Sequence, residues 1–370
     1  MHPAAPKRRR AARERRAVKQ SVLFAYMPEG KIPAASMGVT TALSFGDTES
    51  EFQSALRGTA VTDSSMFGRI AVTGRDRVDL LHRLSTNSLS GLSEGGVVST
   101  VFVSDKGRTI DRVIVAARED SLLLITSPGA ELFLTHWIEK YTITEDITFD
   151  TITDDTAMVS LIGSQVVSKF ISLLPPDTVA GGCTTIRRGE TEMFAVYTTE
   201  KGIPIAHIMT GSEGAAHLAE ETTAIPGARW IGASAYEGFR IFRGIPARPG
   251  EINDAYNPLE CGLRESISFT KGCYIGQEVI ARLDTYGKLR RSLAAVRTGE
   301  LLHGVPLKLL KNGAEAGMLT SLTGSAFGGA YLGLAVLRND MGAPGDELEA
   351  DADGRRVPVT VTSFPPGQPG

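Results

Sequence analysis

The hydrophobic texture of this 370-residue chain changes once, near Lys288, and no other feature limits the fold as much. Beyond that point come six short alternating runs broken by glycine, at 293–296, 306–310, 317–320, 331–337, 347–350 and 357–364. Six strands in about 75 residues with no helix between them predict a small barrel or sandwich. Before Lys288, strands and helices alternate without the glycine-rich first turn of a dinucleotide-binding sheet, which predicts an α+β arrangement.

The first part reads as two cycles. Residues 63–74 predict a strand ending at Gly74, then a helix with Val78, Leu81 and Leu84 on one face. Strands follow at 97–104 and 112–116 around the turn 105–108, and another at 122–126. Phe133, Trp137 and Tyr141 then fall at i, i+4 and i+8 and predict an aromatic helix face turned to the core. In the second cycle a strand at 158–162 leads to a helix capped by Ser164, with Val166, Val167, Phe170, Ile171 and Leu174 inward and Pro175-Pro176 as its stop. A strand at 192–197 and a helix at 215–221, capped by Ser212, follow.

Ser234 and Glu237 have capping-box spacing. In the helix they would open, Ala235, Phe239 and Phe242 share the core face, and Tyr236, Arg240 and Arg243 share another. Two guanidiniums beside a tyrosine suit an anionic, planar ligand, and a solvated stripe is the plainer alternative.

The most chemically loaded stretch is Lys271-Gly-Cys-Tyr-Ile-Gly-Gln-Glu278. Ile267 and Phe269 alternate before it, and Val279, Ile280 and Leu283 recur at helical spacing after it. A strand-to-helix turn is predicted, with Cys273 near a helix N-terminus and two residues from Lys271. Helix-end N–H groups and an ammonium both favour a thiolate. The competing reading is a small buried cysteine in a tight turn. Cys183, Cys261 and Cys273 form no CxxC, and six scattered histidines lack ligand spacing, so no disulfide framework and no protein-built metal site are expected.

Net charge is −3, yet residues 1–20 carry eight Lys/Arg against Glu14, a local +7 that leaves about −10 on the remainder. An acidic body repels phosphate backbones, so stable nucleic-acid binding is not expected. The basic arm, with its extension through about residue 40, is expected to be disordered. A tether, an organelle presequence and an extension without a role are the readings weighed, the last favoured. No apolar run reaches the ~18 residues a membrane span needs, so a cytoplasmic protein is expected, or an organelle-matrix one if the arm is a presequence. Gly91-Leu-Ser-Glu-Gly95 fits G-x-S-x-G without the strand and helix of a nucleophile elbow and is read as chance.

The string KGCYIGQE, followed by Arg282, resembles the signature of YgfZ-type folate-binding proteins, relatives of the glycine-cleavage aminomethyltransferase (T-protein). Collinear, weaker likenesses extend over about 45–365. Gly107-Arg-Thr-Ile-Asp111 is similar to the T-protein turn G-G-I-x-D-D, with Arg112 in place of its second Asp. Tyr197-Thr-Thr-Glu200-Lys-Gly202 and Pro258-Leu-Glu260-Cys-Gly262-Leu263 resemble two further T-protein motifs.

The resemblance implies two GcvT/YgfZ-like α+β subdomains at 41–287, a C-terminal six-stranded β-barrel at 288–365 and a loose tail at 366–370. It implies a tetrahydrofolate-binding protein that supports assembly or repair of iron–sulfur enzymes, tRNA-modifying ones included. Its partners would be folate, iron–sulfur assembly proteins and client enzymes. Cys273 would be the working thiol, with Lys271 lowering its pKa and Gln277 and Glu278 ordering the turn. Phe67, Tyr236 and Arg240 would line the folate cavity, with Asp111 as a polar contact. T-proteins clamp the pterin with a Glu and an Arg, at places aligned with Pro204 and Tyr236. Their absence speaks against the second reading, a folate-dependent aminomethyl or one-carbon transferase. A third reading, an RNA-binding adaptor, sits poorly with the acidic body.

Overall fold

The computed structural model describes residues 19–36, 38–163, 165–166, 182–285, 287 and 289–365. Two antiparallel-rich sheets stacked face to face organise the first part. One has five strands in the order Val97–Val103, Thr109–Ala117, Leu122–Pro128, Phe67–Thr73, Thr148–Thr151. The other has six, in the order Cys183–Arg188, Thr191–Glu200, Ile203–Gly211, Thr156–Ile162, Thr59–Asp63, Ala228–Trp230, with only the last pairing parallel.

Period-2 alternation decides what lies between them. Ile114 and Ala116 meet Met158, Phe194 and Val196 in the inter-sheet core. Val113 and Val115 turn the other way, onto helices α2 (Arg77–Leu84) and α3 (Glu131–Glu139). On the far side of the six-stranded sheet, Val159, Leu161, Ala206 and Ile208 pack against Leu218 and Ala219 of α4 (Ala215–Thr223) and against Leu23 and Met27.

Two helices link this sandwich to the C-terminal part. Phe52 and Ala55 of α1 (Thr48–Arg57) and Ala235 and Phe239 of α5 (Ala233–Phe242) share a core with Ile162 and Ile205. Beyond α6 (Gln277–Thr285) a six-stranded barrel closes in the order Arg291–Thr298, Tyr331–Arg338, Ala314–Leu322, Leu307–Lys311, Glu347–Ala352, Arg355–Thr362. Its interior is built from alternate residues such as Val357, Val359 and Val361. The glycine-rich loop after 324 plugs the barrel into the sandwich. Phe327 is buried with its ring centroid 4.6 Å from that of Phe52, and a methyl on Gly238 of α5 would lie 2.5 Å from the Phe327 ring.

Several expectations change. Residues 19–36 are not disordered: Ile32–Ser36 and Val39–Ser44 pair antiparallel, and Leu23 is fully buried. Of the three aromatics, Trp137 is buried and Tyr141 packs against the same core, whereas Phe133 is 48 % exposed and lies against the Arg248 guanidinium. Neither serine cap forms. Gly214 and Gly232 occupy those positions, which leaves Ser234 inside α5 and Glu237 free to pair with Arg240. The expected strand at 267–270 does not form: the Ser268 amide donates to the Thr86 carbonyl, the Ile267 amide closes a turn onto Arg264, and Ile267 is buried without a strand partner. Of the helix expected after Ser164, all but 165–166 lies outside the described residues, as do residues 1–18 of the arm and 366–370 of the tail.

Candidate functional site

The stacked sheets leave a cavity of about 120 Å3 where α5 and the loop after it meet the inter-sheet core. Ile114 and Ile125 come from one sheet, Ser160, Ile162, Ile205 and His207 from the other, and Tyr236, Glu237 and Arg240 from α5. Phe67, Arg112, Thr126, Ser127, Glu200 and Arg248 complete the polar and aromatic positions around it. Phe67 and Tyr236 meet edge to face, with ring centroids 6.5 Å apart and planes at 86°. That geometry leaves the face of one ring and the edge of the other available to a third, flat partner. Burial raises the Tyr236 phenol above its ordinary pKa, so it stays a neutral donor.

Phe67 is held by a residue that gave no signal in sequence. Arg69, fully buried, donates to the carbonyls of Phe67 (2.6 Å), Ser65, Thr153 and Thr156. Burial lowers its pKa to about 10, against the pull of Asp63, Glu131 and Asp154. It stays charged and nails the 65–69 turn to the 153–156 turn.

Arg240 is anchored from both sides. It pairs with Glu237 one turn back, donates to Ser321 of the barrel (3.0 Å) and lies 3.5 Å from Glu251, which is fully buried. Glu251 also accepts from Ser321 (2.8 Å), Thr320 and the Ala247 amide. The guanidinium therefore serves as a rivet between α5, the 247–251 loop and the barrel as well as a cavity wall. Arg243 does not line the cavity and lies over Phe242, 5.8 Å from its centroid.

Asp111 sits behind the wall. It is fully buried, accepts from the Ser127 amide (3.1 Å) with one carboxylate oxygen and leaves the other without a partner. Burial raises its pKa to about 6, and the Ser127 hydrogen bonds and nearby Arg248 only partly oppose that shift.

The cavity does contain a carboxylate. Glu200 lines it and accepts from Arg112 (2.6 Å), which also reaches Ser99 (3.3 Å). Pro204 is not a lining residue, so the lack of a carboxylate there does not empty the cavity of one. The motif around Glu200 is visible in the sequence, but nothing there singles out Glu200 itself. His207 is marked only by being a polar residue in the apolar strand 203–208.

The KGCYIGQE segment lies elsewhere: none of its residues lines the cavity. The Lys271 ammonium is taken up by partners other than Cys273. It donates to the carbonyls of His82 (2.5 Å), Ser85 (2.7 Å) and Asn87 (2.8 Å), where it satisfies the open C-terminal end of α2. Burial lowers its pKa to about 8. Cys273 is exposed and stands four residues before α6 begins at Gln277, so it is not at the helix N-terminus. Gln277 accepts from the Tyr274 amide, and Glu278 is 86 % exposed and paired with Arg282. Gly276 packs the segment against the Gly107 turn: its φ is +77°, and a side chain there would meet the Ser104 carbonyl at 2.4 Å. No group of metal-ligating residues is found among the described residues, and no helix among them is long and apolar enough to cross a membrane.

Residues 18–271 match the GCVT N-terminal domain and residues 291–366 the glycine cleavage T-protein C-terminal barrel domain. A chloroplastic protein of Arabidopsis thaliana, provisionally named a transferase, is 30% identical over 343 residues, covering 87% of this chain and 76% of that one. An aminomethyltransferase of Geobacillus kaustophilus is 26% identical over 87% of this chain and 90% of its own. The crystal structure of the glycine cleavage system aminomethyltransferase T from Bartonella henselae superposes with a TM-score of 0.79 at 17% identity. It covers 94% of this chain and 98% of that one, and the likeness is one of fold.

Proposed function

The chain belongs to the glycine cleavage T-protein family, through both its N-terminal domain and its barrel, and on that premise we propose that it binds tetrahydrofolate or a derivative in the inter-sheet cavity. The observation that carries this reading is the edge-to-face pair of Phe67 and Tyr236 over a hollow that also holds Glu200, Arg112 and Arg240. A pterin offers a flat face for the aromatics and a donor–acceptor edge for the charged groups. The hollow is small beside the roughly 300–1,000 Å3 of pockets that take whole drug-sized ligands. It suits the bicyclic ring, with the aminobenzoyl-glutamate lying along the mouth.

The bound folate then supports upkeep of iron–sulfur enzymes, with Cys273 as a thiol that faces a partner. Its exposure and its place outside the cavity fit contact with a client or an assembly protein better than chemistry on the folate. Glu200 supports a second reading, a folate-dependent aminomethyl or one-carbon transferase, because a carboxylate does stand at the cavity.

Tetrahydrofolate titration followed by tryptophan fluorescence tests the shared premise. Wild type binds, and Tyr236→Ala weakens binding by about ten- to a hundredfold, the loss of one stacking partner. Unchanged affinity in that variant refutes the assignment of the cavity. Cys273→Ala separates the two readings. Failure to restore an iron–sulfur enzyme in a deletion strain supports the first; full restoration with formation of methylene-tetrahydrofolate from an amine donor supports the second.

A further inference from the structure

His207 interrupts an apolar strand. Its neighbours Ala206 and Ile208 face the α4 side, and His207 shares the cavity face with Ile205. It lies directly opposite Ser160 in the antiparallel ladder, and Nδ1 is 2.8 Å from the Ser160 hydroxyl, which is 2.5 Å from that of Ser64. Nδ1 adjoins the ring carbon attached to Cβ, so this bond ties the near side of the ring to the sheet. Nε2 occupies the distal corner, away from the strand, and has no hydrogen-bond partner. An unmatched nitrogen at a buried position costs free energy, and such positions call for an explanation.

Two features say what would fill it. The ring is neutral near pH 7, because burial lowers its pKa to about 4. The two serine hydroxyls can each turn, so Nδ1 can be met as donor or acceptor and the tautomer is left for the partner of Nε2 to decide. The imidazole can therefore give or take one hydrogen bond, beside an ion pair, Arg112 with Glu200, that already supplies charges of both signs.

We propose that His207 is a ligand-contacting residue whose Nε2 hydrogen-bonds the heteroatom edge of a flat ring held in the cavity, with Ser160 and Ser64 setting its tautomer. The identity of that ring rests on the folate reading; the contact itself does not. Charged partners alone would favour an ion. A neutral, adaptable one in their midst selects an uncharged heteroaromatic edge that carries both donors and acceptors.

The test uses the full chain with 15N-labelled histidine, wild type, His207→Gln and His207→Phe, and two probes, tetrahydrofolate and the free pterin ring. The His207 signals are identified by their loss in the variants. The proposal expects tetrahydrofolate to shift the Nε2 resonance. His207→Phe should bind it roughly tenfold more weakly, the share of one neutral hydrogen bond, and His207→Gln should recover most of that loss. The melting temperature of His207→Phe should not fall, because the unmatched nitrogen has gone. Should the Phe variant fail to fold, the Gln variant and the wild-type resonance decide. If tetrahydrofolate does not bind but the pterin ring moves Nε2, the folate reading fails and the contact stands. The proposal is overturned if neither probe moves Nε2, or if His207→Phe binds as wild type does.

Discussion

The cavity and the KGCYIGQE segment are opposites. The segment is one continuous string, dense in reactive residue types, and it folds into a turn at the surface that buries Tyr274, closes a helix end with its lysine and leaves its cysteine exposed. The cavity is assembled from residues scattered between Met66 and Ile252, most of them unremarked in sequence, and its polar members are interlocked. Density of chemistry along the chain and density of chemistry in space thus mark different places. A string is conspicuous because its residues are adjacent. A site is built by the strands and helix that bring distant residues to one wall.

The sharpest way to break that contrast is to cut the interior network. Glu251→Ala leaves Arg240 without its deepest partner and strips Thr320 and Ser321 of an acceptor. Loss of one side of a buried pair costs about 3–5 kcal/mol, so a large fall in melting temperature is expected. Glu278→Ala, on the exposed face of α6, should leave the melting temperature where it was; equal effects would erase the distinction.

A second test is electrostatic. Asp111 has a folded pKa raised to about 6 from 3.8, so the folded state holds its proton longer and stability falls as pH rises between those values. His207 has a folded pKa lowered to about 4 from 6.5, so its contribution runs the other way and stability rises over nearly the same window. Each shift corresponds to roughly 3 kcal/mol, and in the wild type the two slopes largely cancel. Relative to wild type, Asp111→Asn should make stability climb from pH 4 to 6.5, and His207→Phe should make it decline. Parallel slopes in the two variants would show that these groups are not buried as the cavity requires. Thermal melts across that range give the answer.

The smallest effect belongs to the surface segment. Lys271→Ala removes three hydrogen bonds from the end of α2, a part-exposed site, and should speed amide hydrogen exchange at 82–87 without changing tetrahydrofolate affinity. A drop in that affinity would join the two regions that the structure keeps apart.

The six strands of the last part were legible from their alternation, which left barrel and sandwich both open, and their limits differ by only a few residues. Tyr236 and Arg240 share a helical face in sequence, and with Phe67, which the resemblance implies, they line one cavity; Asp111, implied alongside them, does not. The caps were misread because Gly214 and Gly232 take those positions and leave Ser212 and Ser234 without a capping bond. Lys271 was assigned to Cys273 because sequence distance was short, whereas three carbonyls at a helix end, some 185 residues away in the chain, claim its ammonium.

Periodicity and turn chemistry, which are local, were enough to mark an α+β first part and a helix-free, six-stranded last part; that the first stacks two sheets and the second closes into a barrel was decided by tertiary pairing. Folding alone settled that Glu200, His207 and the anchored Arg240 would share a hollow and that Cys273 would not. Which polar groups meet depends on how two sheets stack and where one helix crosses them, and no neighbour along the chain carries that information.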